Sequence, residues 1–168
     1  MTSQLSPSLV TLLRLVPAFS STCSLWFAHD QWFFLKIFTK PEQRAHASQI
    51  LPPYFTEFAK YGVIRVAGLL LASIVSSGAI LQHSGEELQR YGSRSWYLAG
   101  AGFATSHLVF APFILPHIQN IINDSGKENS IQSLHAWLRI HVIRSLTSDI
   151  AAWVCFVVAA VTTFTTEL

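Results

Sequence analysis

Four apolar stretches, each long enough to cross a membrane, constrain this chain more than any other feature of its sequence. They cover residues 9–34, 61–81, 95–115 and 141–164. A helix that crosses the hydrocarbon core of a bilayer needs about 20 mostly apolar residues. Of the 168 residues, 51% are apolar and only 12% are charged, whereas soluble domains carry about 25% charged residues. The sequence therefore predicts a single all-α domain over residues 1–168, an integral membrane four-helix bundle.

Small residues on the second and third stretches favour close packing of these helices. In lipid, the hydrophobic effect does not drive helices together, so their association depends on close packing. Small side chains allow the helix backbones to approach one another closely. The glycines that the two stretches contribute are Gly62, Gly68, Gly78, Gly100 and Gly102.

The basic residues of the loops predict an orientation and a membrane location. Loop two carries Arg90 and Arg94, and the segment before the first stretch carries no basic residue. The first stretch is too long for a cleavable signal peptide, so we expect a retained helix and a multi-pass protein of the endoplasmic reticulum. Because cytosolic loops are enriched in Lys and Arg, we expect loops one and three on the cytosolic side. They carry Lys36, Lys40, Arg44, Lys60, Lys127 and Arg139.

Ionisable side chains inside the predicted helices gather in one half of the bundle, apart from Arg14, which belongs to the opposite half. Each charged group there costs about 2.5–3.5 kcal/mol. Asp149 lies eight residues into helix four, and His107 lies eight residues before Leu115. At about 1.5 Å per residue, both are about 12 Å below the same membrane face. Arg65 and Arg144 lie closer to that face, at shallower depth. The remaining members are His29, Asp30 and His141.

A polar arc on helix four indicates that these groups line a cavity. At about 100° per residue, five polar side chains fall within about 140° of the helix circumference. The alternative is structural, with Arg65 or Arg144 paired to Asp149 as a lock on the bundle. The members of the arc are His141, Arg144, Ser145, Ser148 and Asp149.

Other kinds of site are disfavoured by the sequence. Imidazole and carboxylate groups are metal ligands, but no HxxH, HxxxH or ExxH spacing is present, so we predict no metal site and no cofactor. A proton relay would need polar groups through the whole membrane, and this set thins out toward loop two. A net charge of +2 without a basic run predicts no nucleic-acid partner.

Two segments resemble a known group of membrane proteins. Trp137, His141 and Arg144 form a W-x-x-x-H-x-x-R pattern, and residues 96–112 begin Gly-rich and end in Ala-Pro-Phe. Both resemble small four-helix membrane enzymes of fungal polyketide pathways. One branch comprises anthrone oxygenases. Another comprises epoxide hydrolases and cyclases of polyene-pyrone pathways, and related proteins accompany decahydrofluorene biosynthesis. Anthrone oxygenases continue with an apolar run after the Arg, whereas this chain continues to Asp149, which favours the epoxide-opening or cyclising branch.

The resemblance implies a tailoring enzyme that opens an epoxide on a lipophilic polyketide by general acid–base catalysis, with the substrate reaching the site from the lipid. Asp149, with His107 or His141, would then be the acid and base. We expect lipid and a lipophilic small molecule as partners, and a homo-oligomer stays open. The residues expected to bind substrate or stabilise charge are Arg65, Arg144, His29 and Asp30.

Three alternatives stay open at the level of sequence. A pericyclase of the Diels–Alder type would fold a polyene in the same cavity and polarise a carbonyl group. A cofactor-free anthrone oxygenase would use a histidine as the base that forms a carbanion. A non-enzymatic membrane escort subunit would need none of these groups for catalysis.

Overall fold

The computed structural model describes residues 6–124 and 129–167. Lys127, which enters the comparison of loop charges, lies outside them. Helices dominate the described residues, interrupted by 3₁₀ turns at Pro41–Gln43 and His107–Phe110 and by a π-helical turn at Ser145–Asp149. The helices are α1 (Pro7–Ile37), α2 (Arg44–Arg90), α3 (Arg94–Ser106), α4 (Ala111–Ile122), α5 (Asn129–Arg144) and α6 (Ile150–Glu167).

These helices form four rods of membrane-spanning length, because α3 continues into α4 and α5 into α6. Each rod is long and apolar enough to cross a bilayer. Along the bundle, α1 packs chiefly on α2, α3 on α6, and α4 on α5. The predicted all-α fold, with four helices long and apolar enough to cross a membrane, is therefore confirmed. The rods cover Pro7–Ile37, His46–Arg90, Arg94–Ile122 and Ser130–Thr166.

Helix α2 extends far beyond the predicted stretch of residues 61–81. It has 47 residues, with a kink at Ser84, whose backbone angles are not helical. The part before the kink, residues 44–83, is about 60 Å long at 1.5 Å per residue, about twice the ~30 Å hydrocarbon core. Most of the segment read from sequence as loop one is therefore helical. The reason is amphipathicity: Leu51 and Phe55 are buried against Leu134 and Trp137, so this part of α2 packs against the bundle.

The turn between α2 and α3 is set by Gly92. Its φ is +75°, which glycine adopts without steric cost. The Ser93 N–H donates to Leu88 O at 2.9 Å, and the Gly92 N–H donates to Gln89 O at 3.1 Å. This pair of bonds is a Schellman motif. It ends α2 sharply and lets the third rod return beside the second.

Two hydrophobic clusters occupy opposite halves of the bundle. The first includes Leu35, Phe55, Ile114 and Leu138, with other residues of α2, α4 and α5. The second is built from α2, α3 and α6 and includes Leu70, Ile80, Leu88, Tyr97, Ala104, Ala152, Phe156 and Ala159. Two irregular turns lie along the chain between members of the two clusters. They are the 3₁₀ turn at His107–Phe110 and the π turn at Ser145–Asp149. The candidate site is therefore at the junction between the two clusters.

Candidate active site

The π-helical turn at Ser145–Asp149 brings Arg144 and Asp149 together. The Ile150 N–H donates to Ser145 O, five residues back. In a regular α-helix, residues five apart point about 140° away from each other, whereas the wider π turn brings them onto one face. Arg144 Nε donates to Asp149 Oδ2 at 3.3 Å, and both side chains are buried. Single π turns inside α-helices occur frequently at functional sites.

A second irregular turn places His107. The segment His107–Phe110 is 3₁₀-helical, and Pro112 follows it. Proline has no N–H to donate to the carbonyl four residues back, so the α-helical ladder breaks at this position. His107 Nδ1 lies 2.8 Å from Asp149 Oδ1. The structure thus brings together the two residues that the depth argument placed side by side.

His141 supports Arg144 and does not belong to the cavity wall. Its Nδ1 accepts from an Arg144 guanidinium nitrogen at 3.1 Å, and its Nε2–H donates to Ala28 O at 2.9 Å. Both ring nitrogens are occupied. The ring also stacks on Trp137, with centroids 4.7 Å apart. The predicted catalytic role of His141 finds no support in this geometry, because neither ring nitrogen is available to a substrate.

The W-x-x-x-H-x-x-R pattern therefore has a physical explanation. Trp137, His141 and Arg144 lie on one face of α5, at the i, i+4 and i+7 spacing of a helix. Trp137 stacks on His141, and His141 holds the guanidinium of Arg144. Arg144 in turn donates to Asp149, which accepts from His107. Four polar side chains and one indole thus fix one another in an unbroken series of contacts.

The cavity beside this series is mostly apolar. It measures about 270 Å³ and lies between α1, α2, α5 and the third rod. The polar side chains in its wall are Gln31, His107 and Arg144. His107 contributes its imidazole with Nδ1 turned to Asp149, which leaves Nε2 for the cavity. The apolar wall consists of Phe55, Phe58, Ala59, Gly62, Val63, Val66, Ala67, Leu70, Leu108, Ala111, Ile114, Leu115, Ile118 and Trp137.

The cavity opens sideways toward the outer surface of the bundle. Val63 on α2 is 61% exposed, Leu108 in the 3₁₀ turn 57%, and Leu115 on α4 51%. All three residues also line the cavity. We call the part of the cavity wall formed by these three residues and by the exposed Ala111 the lateral opening. It faces the part of the bundle that the spanning helices would present to membrane.

Arg65 does not reach the site, and the prediction that it faces the bundle interior is wrong. Its side chain is exposed, and its guanidinium carbon lies 5.7 Å from the centroid of the Phe27 ring. The inward face of α2 is the one that carries Gly62, Val66 and Leu70. Arg65 is off this face, and its long side chain lies over an aromatic ring, as arginine often does.

His29 and Asp30 are also outside the site. Their side chains are 61% and 38% exposed, and their nearest polar atoms are 3.7 Å apart. Helix α1 turns Ala28 and Gln31 inward instead. The expectation that His29 and Asp30 bind substrate in this cavity is therefore not supported, because the neighbouring residues occupy its wall.

The donor set does not fit a metal ion. Within the described ranges, no group of three or more His, Cys, Asp or Glu side chains could hold one. The Arg144 guanidinium contacts both Asp149 and His141, and its positive charge would repel a cation from these ligands.

Two features of the bundle were not predicted from the sequence, namely Gln31 in the cavity wall and the pairing of Arg14. Gln31 shares the buried face of α1 with Pro17, Ser21 and Ala28, and this spacing was the available signal. At the other end of the bundle, Arg14 donates to Glu87 at 2.7 Å.

Comparison with known proteins supplies the family. The chain is 33% identical over 151 residues to Epoxidase gkaX of Penicillium citrinum, covering 89% of this chain and 93% of that protein. It is 32% identical over 162 residues to Probable epoxidase scpX of Mollisia scopiformis, covering 91% and 96%. It is 33% identical over 153 residues to Epoxidase pydX of Acremonium sp, covering 89% and 92%.

No family model and no solved structure matches the chain. The three relatives nevertheless extend over nearly its whole length. They confirm the resemblance drawn from the sequence. The chain belongs to the family of fungal polyketide-pathway proteins that includes these epoxidases.

Proposed function

We propose that this chain is a membrane-embedded tailoring enzyme that carries out epoxide chemistry on a lipophilic polyketide. One observation carries the proposal: an apolar cavity of about 270 Å³ has His107 and Arg144 in its wall. An apolar wall suits a hydrocarbon-rich polyketide, while its few polar groups fix the reacting atoms. An epoxide oxygen in this cavity would accept hydrogen bonds from His107 or Arg144.

Asp149 supports this site from behind the imidazole. Because the carboxylate accepts at Nδ1 of His107, it orients the ring and leaves Nε2 toward the cavity. The same carboxylate accepts from Arg144 and so balances the buried guanidinium. An orienting carboxylate behind a histidine is a recurring arrangement where an imidazole transfers protons.

The names of the relatives favour epoxide formation as the reaction. In that direction an oxygen atom adds across a carbon–carbon double bond of the polyketide. We take dioxygen as the oxidant: one of its oxygen atoms enters the epoxide and the other leaves as water, with two protons and with two electrons from an NADPH-dependent reductase of the same membrane. His107 and Arg144 would hydrogen-bond the oxygen that is transferred, and His107 would deliver a proton.

Epoxide opening is the second candidate, and the buried acid–base pair favours it. Protonated His107 would give its proton to the epoxide oxygen while water or a hydroxyl group of the substrate attacks carbon. Arg144 would stabilise the negative charge that develops on that oxygen. His107 then recovers a proton from the attacking nucleophile, so the step is balanced without an oxidant.

Substrate access through the lateral opening is part of the proposal. A lipophilic polyketide concentrates in the bilayer, and the lateral opening faces that phase. This route explains why such chemistry would take place inside a membrane protein. We propose that the protein resides in the endoplasmic reticulum. Microsomes isolated from an expression host would therefore contain it.

Oxygen isotopes test the function and separate the two directions. Microsomes that contain the chain would receive a polyene polyketide or its epoxide, under ¹⁸O₂ or in H₂¹⁸O. Formation predicts that the polyene gains one ¹⁸O from dioxygen. Opening predicts that the epoxide is consumed without dioxygen, with ¹⁸O from water in a diol or none in a cyclic ether. Turnover of neither compound, with folded protein present, would overturn the proposal.

A further inference from the structure

The amide of Gln31 is a buried polar group without a protein partner. The residue is 6% exposed and lines the cavity. Across residues 6–124 and 129–167, its side chain makes no hydrogen bond, and its amide atoms are not among the fully enclosed polar atoms that lack a partner. The amide therefore stays accessible from the cavity, where a ligand can use its hydrogen-bonding capacity. The amide does not bridge helices, so it does not stabilise the bundle by hydrogen bonding.

Gly62 keeps this amide open to the cavity. On α2, opposite Gln31, a Cβ at Gly62 would lie 3.6 Å from Gln31 Nε2. That separation is ordinary van der Waals contact, so a larger side chain would cover the amide. Both residues line the same cavity. The absence of a side chain at Gly62 therefore leaves room for a ligand beside the amide.

Gln31 also differs from the other polar residues of the wall. His107 and Arg144 are held by Asp149 and His141, whereas Gln31 lies on α1 with apolar side chains around the cavity. An amide that is neutral, buried and unpaired can donate and accept, but it cannot supply a charge. Such a group fits a neutral polar atom of the ligand better than it fits the reacting oxygen.

We propose that Gln31 is a substrate-binding residue whose amide donates a hydrogen bond to a carbonyl oxygen of the lipophilic substrate. The inference rests on the proposed function for its substrate class. Carbonyl oxygens are the acceptors that polyketide assembly leaves along a carbon chain. A carbonyl held at Gln31 would fix which part of the chain lies against His107. Gln31 would thereby determine the position at which the substrate reacts.

The kinetic test replaces Gln31 by Leu, which keeps the approximate size and removes the amide. Losing a neutral hydrogen bond typically weakens binding about 2- to 12-fold. We expect KM to rise by that factor with kcat nearly unchanged, the pattern of binding lost equally in ground and transition states. The control is Gln119→Leu, since Gln119 is exposed on α4 and does not line the cavity. An unchanged KM in Gln31→Leu would overturn the inference.

Stability separates binding from a structural role. Without ligand, the thermal midpoint of Gln31→Leu in detergent should stay close to that of the wild type, because the substitution removes no hydrogen bond within the bundle. A lowered midpoint with an unchanged KM would show that Gln31 supports the fold instead.

A probe pair tests binding independently of the reaction. 2-Undecanone and undecane have the same chain length and differ in the carbonyl group. We expect the ketone to raise the thermal midpoint of the wild type and of Gln119→Leu more than the alkane does. On Gln31→Leu, we expect the two probes to raise the thermal midpoint equally. Equal effects on the wild type would overturn the inference. If discrimination is present but microsomes neither form nor open an epoxide, the inference stands and the proposed function fails.

Discussion

His107 Nδ1 lies 2.8 Å from Asp149 Oδ1, and each residue belongs to a helical turn that departs from α geometry. His107 begins a 3₁₀ turn and Asp149 ends a π turn. The two departures occur at the same level of the bundle, between the two hydrophobic clusters. Irregular helical turns have poorer hydrogen-bond geometry than α turns. Both occur where a buried histidine contacts a buried carboxylate, so we infer that they serve to bring these two side chains together.

The π turn leads to a test by deletion. A π turn has one more residue than the α-helical turn it replaces, and Thr147 within it is exposed. Deleting Thr147 would restore α geometry with Asp149 four residues after Arg144, on the same face. We expect this variant to fold and to keep turnover in microsomes.

Deleting Val154, which lies in the regular helix α6, is the matched comparison. That deletion would rotate the following residues by about 100° and move Phe156 away from Gly100. We expect loss of folded protein. If both deletions behave alike, the π turn does not have the role assigned to it.

Close packing between α3 and α6 depends on Gly100. A Cβ at this position would lie 2.5 Å from a Phe156 ring carbon, whereas a Cβ at Gly102 would meet nothing within 4 Å. Overpacking of this kind typically costs about 1–3 kcal/mol. We expect Gly100→Ala to lower the thermal midpoint in detergent and Gly102→Ala to leave it unchanged or raise it. Equal midpoints for the two variants would contradict this packing.

The lateral opening is tested by narrowing it. Ala111 is exposed and lines the cavity, so Ala111→Trp should obstruct access from the lipid. We expect kcat/KM to fall at least about tenfold, comparable with losing 1.4 kcal/mol of binding. Val109 is 63% exposed and does not line the cavity, so Val109→Trp is the control. An equal effect of the two substitutions would mean that access lies elsewhere.

The general architecture could be predicted from the sequence because hydropathy has a simple physical basis. Each of the four apolar stretches of membrane length forms part of one rod. Counting residues from the membrane face predicts that His107 lies beside Asp149. Both inferences depend only on the rise per residue of a helix.

The details of the site could not be predicted in this way. The arc on helix four was calculated at 100° per residue, which the π turn at Ser145–Asp149 invalidates. Arg65 was placed inside because charge is costly in lipid, but its side chain lies over the Phe27 ring instead. Gln31 could not be predicted from the sequence, because an uncharged amide near the end of an apolar stretch has little cost in lipid and gives no signal without the cavity.

The central claim is that Asp149 works with His107 in catalysis and is not simply a lock on the bundle. The most direct measurement is turnover of Asp149→Asn in microsomes, with folded protein quantified alongside. The substitution keeps size and hydrogen bonding but removes the carboxylate that orients His107. Glu87→Gln is the matched control, since Glu87 also pairs with a buried arginine, Arg14, at the other end of the bundle.

We predict that Asp149→Asn inserts and folds but loses about 10²–10⁴-fold in turnover, the usual contribution of acid–base catalysis, while Glu87→Gln keeps near-normal turnover. Near-normal turnover of folded Asp149→Asn would contradict the account and favour a cavity that acts by shape, as a pericyclase does. Loss of the folded protein itself would contradict it as well, and would assign Asp149 to the lock on the bundle.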